Sequence, residues 1–196
     1  MKVSICGTPG VGKSTVCSHL SERGIRVVRV ADVLEEYLGG SVEEMDEEIL
    51  VDLDEAREAL SNITDEGKGG VVIDGHLSYL ADWDLCIVLR AHPALVEDRL
   101  QERGYSQAKI RENVEAEAVS AVLIEAVMEQ EERGHRDRIP GDGPILMELD
   151  LTDLSGEQAC NDVLNIIESF RGKRLNELEA YRPGKVDWLE VMEQWY

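Results

Sequence analysis

"GTPGVGKS", Gly7 to Ser14, stands between a short apolar run, Lys2 to Cys6 (KVSIC), and a stretch of helical spacing from Ser14 to Arg23. It fits GxxxxGK[ST] in the strand, loop, helix context that the pattern requires. Its glycines let successive backbone N–H groups curl around phosphate, and the helix N-terminus behind them adds partial positive charge. Lys13 supplies a mobile cation, and the Ser14 hydroxyl can ligate Mg²⁺. Together with Gly10, Gly12 and Thr15 these residues predict a nucleoside triphosphate site at the end of the first strand.

Working outward from that loop, the chain alternates strand and helix signals. Val16 and Leu20 mark the first helix, which Gly24 ends, and Ile25 to Val30 (IRVVRV) reads as the next strand. Residues 31 to 66 are dominated by acidic side chains, with Arg57 the only basic residue; Ile49, Leu50, Leu53, Ala56 and Leu60 recur at helical spacing. "VVIDGHLSYL", Val71 to Leu80, opens with a strand buried on both faces that delivers Asp74 to its carboxyl end, where open α/β sheets bind ligands. Leu85 to Leu89 is a further strand, and His92-Pro93 opens a helix to about Arg103. After Gly104-Tyr105-Ser106 one long helix is expected from about Gln107 to Arg133. Ile145 to Leu149 reads as a fifth strand, and Ser155-Gly156-Glu157-Gln158 resembles a capping box. Such alternation implies a parallel sheet covered on both faces. Residues 1–172 are expected to form one domain and 173–196 a helical tail, broken at Pro183-Gly184 and holding Trp188 and Trp195 as packing anchors.

Composition narrows the classes. The 196 residues, 43% hydrophobic, suit a single core. Cys6, Cys17, Cys86 and Cys160 show no CxxC pair or metal spacing, which fits reduced buried thiols. Met1 leads directly into a strand and no apolar run reaches the length of a membrane span, so a cytoplasmic protein is expected, without membrane association. A net charge of -21 opposes nucleic-acid binding. Two readings of that acidity are open: solubility, including adaptation to salt, or attraction of a basic partner.

Asp74 is placed to hold a Mg²⁺-bound water; its alternative role is a cap or turn aspartate. Arg90, Arg99 and Arg103 follow the fourth strand, and Arg99 and Arg103, four apart on one helix face, can grip adjacent phosphates. Lys109 and Arg111 belong either to that cluster or to a solvated face. "RGHRDRIP", Arg133 to Pro140, is a basic loop leading to the last strand. His92 and His135 receive no functional role.

The loop at Gly7 to Thr15, the acidic arm after strand two, the DxH at Asp74 to His76, and "DRLQERGYSQAKIRENVEAE", Asp98 to Glu117, resemble adenylate kinases. The likeness is greatest to the small atypical isoenzyme-six branch, in an archaeal-like form, and spans roughly residues 1 to 170. It implies a P-loop fold of the nucleoside monophosphate kinase type: a five-stranded parallel sheet flanked by helices, a monophosphate-binding arm at about 30–66, and a short lid at about 103–113. "LDEAR", Leu53 to Arg57, resembles a stretch that makes Arg57 the candidate for the acceptor phosphate. Asp32 matches an aspartate of the family's "GDL" segment, with Ala31 in place of the glycine; N-capping of the next helix is its other role. Where ordinary adenylate kinases carry Phe-Pro-Arg after the Asp-Gly, this chain has His76-Leu77-Ser78 and lacks that arginine. His76 matches a histidine of the isoenzyme-six branch and could bond the transferring phosphoryl or orient a water; the alternative is a surface-turn histidine.

The expectation is therefore Mg²⁺-dependent phosphoryl transfer from ATP to a nucleoside monophosphate, AMP first, with some ATP hydrolysis. Lys13, Ser14, Arg99 and Arg103 would neutralise phosphate charge. The resemblance also implies a role in small-subunit ribosome maturation and rRNA processing, with a uS11-type ribosomal protein as partner. An ATP-switched assembly factor and a small-metabolite kinase are the alternatives.

Overall fold

The computed structural model describes residues 1–38, 52–65, 69–133 and 145–192. Strands β1 (Lys2–Cys6), β2 (Arg26–Arg29), β3 (Val71–Asp74), β4 (Leu85–Arg90) and β5 (Ile145–Asp150) pair in one sheet, ordered β2-β3-β1-β4-β5 and parallel throughout. This is the expected five-stranded P-loop fold. Ile5 and Arg29 are both in register with Asp74, from opposite sides of β3, so the carboxyl ends of the first three strands form one edge. Cys6 pairs with Val88 in β4, which extends that edge towards Arg90.

Side chains of a strand alternate between faces, and the two faces bury different helices. Val3, Ile5, Val72 and Ile87 pack with α1 (Lys13–Glu22), α4 (Pro93–Glu102), α5 (Gln107–Ala118) and α7 (Gly156–Arg171). Cys6, Ile73, Cys86 and Val88 pack with α2 (Val30–Leu38), α3 (Leu53–Ser61) and α6 (Ala121–Glu132). All four cysteines are buried and free, as expected.

The long helix expected over 107–133 is two helices. Ser120 adopts a left-handed conformation, φ 59 and ψ 33, between α5 and α6. A single straight helix is excluded because Ile110 and Val114 belong to one core and Val122 and Ala126 to the other: the chain must cross from one face of the sheet to the other. No glycine or proline marks the break. Asp32 is likewise not an N-cap, since Val30 already opens α2 and Asp32 lies in its first turn. The helix opening at His92-Pro93 and the capping box of Ser155 and Gln158 on α7 are as expected, and the side chains of His92 and Ser106 cap α4 and α5.

Of the acidic arm, α2 and α3 are described; Ala56 and Leu60 are buried and Leu53 is exposed. Ile49, Leu50 and Glu43 to Glu48 lie outside the described residues, as do residues 134–140 of the basic loop, His135 among them, and Trp195. The described tail holds α8 (Leu175–Leu178), a 3-10 turn (Glu179–Tyr181) and α9 (Leu189–Met192). Trp188 packs edge-on against His92, ring centroids 4.9 Å apart, in keeping with a packing anchor. Among the described residues no helix is long and apolar enough to cross a membrane.

Gly7 and Gly24 separate two costs of replacing glycine. A Cβ on Gly7 (φ +143) would lie 2.4 Å from the Leu89 carbonyl oxygen, whereas one on Gly24 (φ +80) meets nothing within 4 Å. Gly24→Ala should therefore cost about 1 kcal/mol of backbone strain, and Gly7→Ala, where strand and loop must also part, upward of roughly 3 kcal/mol. Urea midpoints of the two variants check the ordering; equal midpoints would contradict it.

Candidate active site

The phosphate-binding loop leaves β1 at Gly7 and enters α1 at Lys13. Gly10 and Gly12 have φ of +91 and +119, a left-handed backbone that glycine adopts without strain. Lys13 Nζ donates to the carbonyls of Gly7 at 2.6 Å and Thr8 at 3.0 Å. Burial pulls its pKa below the usual lysine value, while the carboxylates of Asp74 and Glu117 pull the other way.

Behind the loop lies a buried ion network that sequence reading did not find. Arg90 Nε donates to Glu117 Oε1 at 2.7 Å, and Arg90 Nη1 donates to Glu148 Oε1 at 2.6 Å. Thr8 Oγ1 donates to Glu117 Oε2 at 2.6 Å, and the Ala91 N–H to Oε1 at 3.2 Å. Glu148 Oε2 accepts N–H bonds from Gly184 and Lys185 of the tail at 2.8 and 3.0 Å. Arg90 is 1% exposed, so although it follows the fourth strand with Arg99 and Arg103 it does not line either cavity beside the loop; two carboxylates hold it inside the protein. Glu117 carries no local signal that separates it from Glu112 and Glu115, which is why it escaped notice.

Two cavities flank the loop. One, about 420 Å³, is lined by Val11, Thr15, Arg99, Leu151 and Gly156; the other, about 1250 Å³, by Lys13, Ser14, Asp74, His76, Arg57 and Lys109. Gly12 and Arg103 border both. Lys13, Ser14, Gly10, Asp74, His76, Asp32 and Arg57 are thus brought to one cleft, with Thr15 and Arg99 on the far side of the loop. Arg99 Nη1 donates to the carbonyls of Gly10 and Val11 at 3.1 and 2.8 Å, so it braces the loop from behind. The stretch expected as the lid is a turn at 103–106 followed by the start of α5. Lys109 pairs with Glu112 and Arg111 with Glu115 on that helix.

Asp74, largely buried, lies beside the Cys17 thiol from the second turn of α1, whose pKa burial and this carboxylate push up. His76 is exposed on the wall of the cleft; desolvation by the protein around it, together with the ammonium groups of Lys13 and Lys109, lowers its pKa to about 4. The ring is neutral at physiological pH and can accept or donate one hydrogen bond. Arg57 reaches across from α3 to α6, donating from Nη2 to Glu129 Oε2 at 2.8 Å, and also to Asp54 at 2.8 Å. Burial would raise the pKa of Glu129, but the bonds from Arg57 and Arg133 prevail and hold it below the usual range. Asp32 is engaged by Arg29, a cleft residue that sequence reading passed over, through a fork of 2.9 and 2.6 Å.

Comparison with known proteins places the chain. Residues 3–120 match the AAA domain family. A protein of Pyrococcus furiosus named "Putative adenylate kinase" is 42% identical over 99% of this chain and 94% of its own length; one of the same name from Archaeoglobus fulgidus is 35% identical over 98% and 94%. Among solved structures, shikimate kinase from Bacteroides thetaiotaomicron superposes with a TM-score of 0.51 at 15% identity, covering 86% of this chain and 98% of that one. Deoxyadenosine kinase from M. mycoides gives 0.51 at 18%, covering 86% and 99%. These two likenesses are of fold.

The buried network predicts a contrast in stability. Arg90→Met leaves Glu117 and Glu148 without their cation in the interior and should cost on the order of 3–5 kcal/mol. Lys109→Met breaks only the half-exposed pair with Glu112 and should cost less than about 1 kcal/mol. Guanidinium unfolding curves decide it, and a cost for Arg90→Met as small as that for Lys109→Met would remove the network from its supporting role.

Proposed function

The chain belongs to the family of these archaeal relatives, and on that footing we propose that it is a Mg²⁺-dependent nucleoside monophosphate kinase, passing the ATP γ-phosphoryl to a monophosphate, AMP first. The observation that carries the reading is the pair of cavities on either side of one phosphate loop, with Gly12 and Arg103 bordering both and Lys13 and Asp74 lining the larger. A donor nucleotide has its base in the smaller cavity against Val11 and Leu151 and its phosphates on the loop. The acceptor lies in the larger cleft. Phosphoryl transfer needs little covalent participation from the protein; it needs the two nucleotides in line and the developing charge neutralised.

Lys13 leaves the carbonyls of Gly7 and Thr8 for the triphosphate oxygens, and Arg103, bordering both cavities, serves the same charge from the lid side. Arg99 holds the loop in shape and stands beside the donor. Ser14 and, through a water, Asp74 would hold Mg²⁺, which supplies charge neutralisation on the phosphate oxygens. One hydroxyl and one carboxylate suit an ion that takes most of its ligands from phosphate and water. His76, neutral, bonds the transferring group or orients a water, and in the second role it supports slow ATP hydrolysis. Arg57, with Asp32 nearby, faces the acceptor.

A second reading follows from charge and from the resemblance to the isoenzyme-six branch: the protein docks a basic uS11-type ribosomal protein and uses ATP as a switch during small-subunit maturation. The net charge of -21 and the exposed Asp52, Asp54 and Glu55 at the start of α3 favour a lysine-rich partner over RNA. A cytoplasmic location accords with both readings.

Purified protein with Mg²⁺ATP and a panel of nucleoside monophosphates, following diphosphate formation beside acceptor-free phosphate release, tests the first reading. Diphosphate formation is expected; a panel in which no monophosphate is turned over would reject it. Lys13→Ala should lower both transfer and hydrolysis by at least about a hundredfold. Arg57→Ala should raise KM for the monophosphate and spare hydrolysis, whereas His76→Ala should lower kcat with little change in KM. For the second reading, binding of the basic partner should fall steeply between about 0.1 M and 1 M salt, as the Debye length shrinks. It should also weaken when Glu43, Glu44, Glu47 and Glu48 become glutamine; salt-independent binding would remove the acidic arm as the docking surface.

A further inference from the structure

The segment after Asp74-Gly75, His76-Leu77-Ser78, brings no arginine or lysine to the cleft. The structure brings a guanidinium to the same edge. Arg29 is the last residue of β2 and is the register partner of Asp74 in the neighbouring strand. Paired residues of parallel strands project to one face, about 4.8 Å apart. The preceding pair with the same orientation, Val27 and Val72, bears this out by packing in one core. Arg29 therefore issues beside the carboxylate that stands next to the reacting phosphates, and it lines the larger cleft.

Of Arg29 and Arg57, Arg29 has the more exposed carboxylate partner. Arg57 is tied to Glu129, whose side chain is 5% exposed, so withdrawing it uncovers a buried carboxylate. Arg29 instead holds Asp32 three residues away, both side chains more than half exposed at 59% and 54%. Exposed pairs of this kind are weakly held. The pair is a two-bond fork, Nε to Oδ2 and Nη2 to Oδ1, the arrangement in which a guanidinium also takes a phosphate. A monophosphate dianion offers more charge than a carboxylate in the same fork.

We propose that Arg29 grips the phosphate of the acceptor nucleotide, releasing Asp32 to do so, and so supplies the guanidinium that the segment after Asp74 lacks. This rests on the nucleoside monophosphate reading of the cleft and adds a residue to it. Arg57 then serves as the second, less mobile contact. Asp32 acts as a competitor that parks Arg29 while the cleft is empty and is not itself a nucleotide ligand.

The experiment measures equilibrium binding of AMP and of adenosine to the full-length protein, alongside steady-state kinetics with Mg²⁺ATP. Arg29→Gln should weaken AMP binding and raise its KM at least tenfold, with adenosine binding and the KM for ATP within twofold of the parent. Arg29→Lys, which keeps the charge and loses the fork, should fall between them. Asp32→Asn should tighten AMP two- to threefold. If the ion pair only stabilises α2, Asp32→Asn and Arg29→Gln will weaken AMP alike, and the proposal is overturned. Equal loss of adenosine and AMP affinity in Arg29→Gln overturns it too, as does unchanged AMP affinity. A parent protein that binds AMP through Arg29 but forms no diphosphate would end the kinase reading and leave the Arg29 site standing; a parent that binds no monophosphate would end both.

Discussion

One buried guanidinium holds the ligand edge of this fold together. Arg90 ends β4 and meets a carboxylate from α5 and another from β5, so three segments far apart in sequence converge on a single charge. Taking such ions out of water is costly, and their mutual attraction returns the cost only when the remaining hydrogen-bonding capacity is filled. Here it is filled with functional parts. Glu117 spends its other oxygen on the Thr8 hydroxyl inside the phosphate loop, and Glu148 spends its other oxygen on backbone N–H groups of the tail. The shape of the loop is thereby linked to the last described segment of the chain through four side chains. An apolar substitute of equal volume could fill the space, but it could not fix the orientation of Thr8.

The crossing at Ser120 has a similar consequence. By ending α5 on one face of the sheet and starting α6 on the other, it carries Glu125 and Glu129 round to the larger cleft, where Glu129 receives Arg57 and Glu125 accepts a hydrogen bond from Tyr79 Oη at 2.9 Å. A left-handed serine is strained by about 1–2 kcal/mol, a modest cost against burying apolar faces of both helices. The wall of the larger cleft is thus built by the same break that closes the second core.

What was legible in the sequence follows from whether the signal is local. The phosphate loop, the strand ending in Asp74, the helix start at His92-Pro93 and the capping box at Ser155 depend on neighbouring residues, and pattern reading finds them. The Ser120 break does not, because nothing in "EAVSAV" distinguishes a helix that continues from one that must change faces; only the requirements of two separate cores decide it. Arg90 is the plainest case. In sequence it is one more arginine in a basic series after the fourth strand, and its burial depends on Glu117 and Glu148, which lie 27 and 58 residues away. Arg29 was overlooked for the opposite reason: a charged residue at the end of a short strand reads as solvent-facing until the register sets it beside Asp74.

On the proposed reading, a protein of net charge -21 that takes polyanionic substrates has to keep its cations ready without leaving them uncompensated. Four cations of the described cleft rest on partners. Lys13 rests on two carbonyls, Lys109 on Glu112, Arg29 on Asp32 and Arg57 on Glu129. Binding a phosphate then becomes an exchange of partners, and the ease of each exchange is set by the burial of the partner left behind. Carbonyl oxygens and exposed carboxylates return to water at little cost; a carboxylate as enclosed as Glu129 does not. The burial of each resting partner therefore orders the cations from mobile to fixed. On the proposed reading, that ordering gives a largely acidic surface an anion site whose positive charge is shielded when empty and released by the substrate itself.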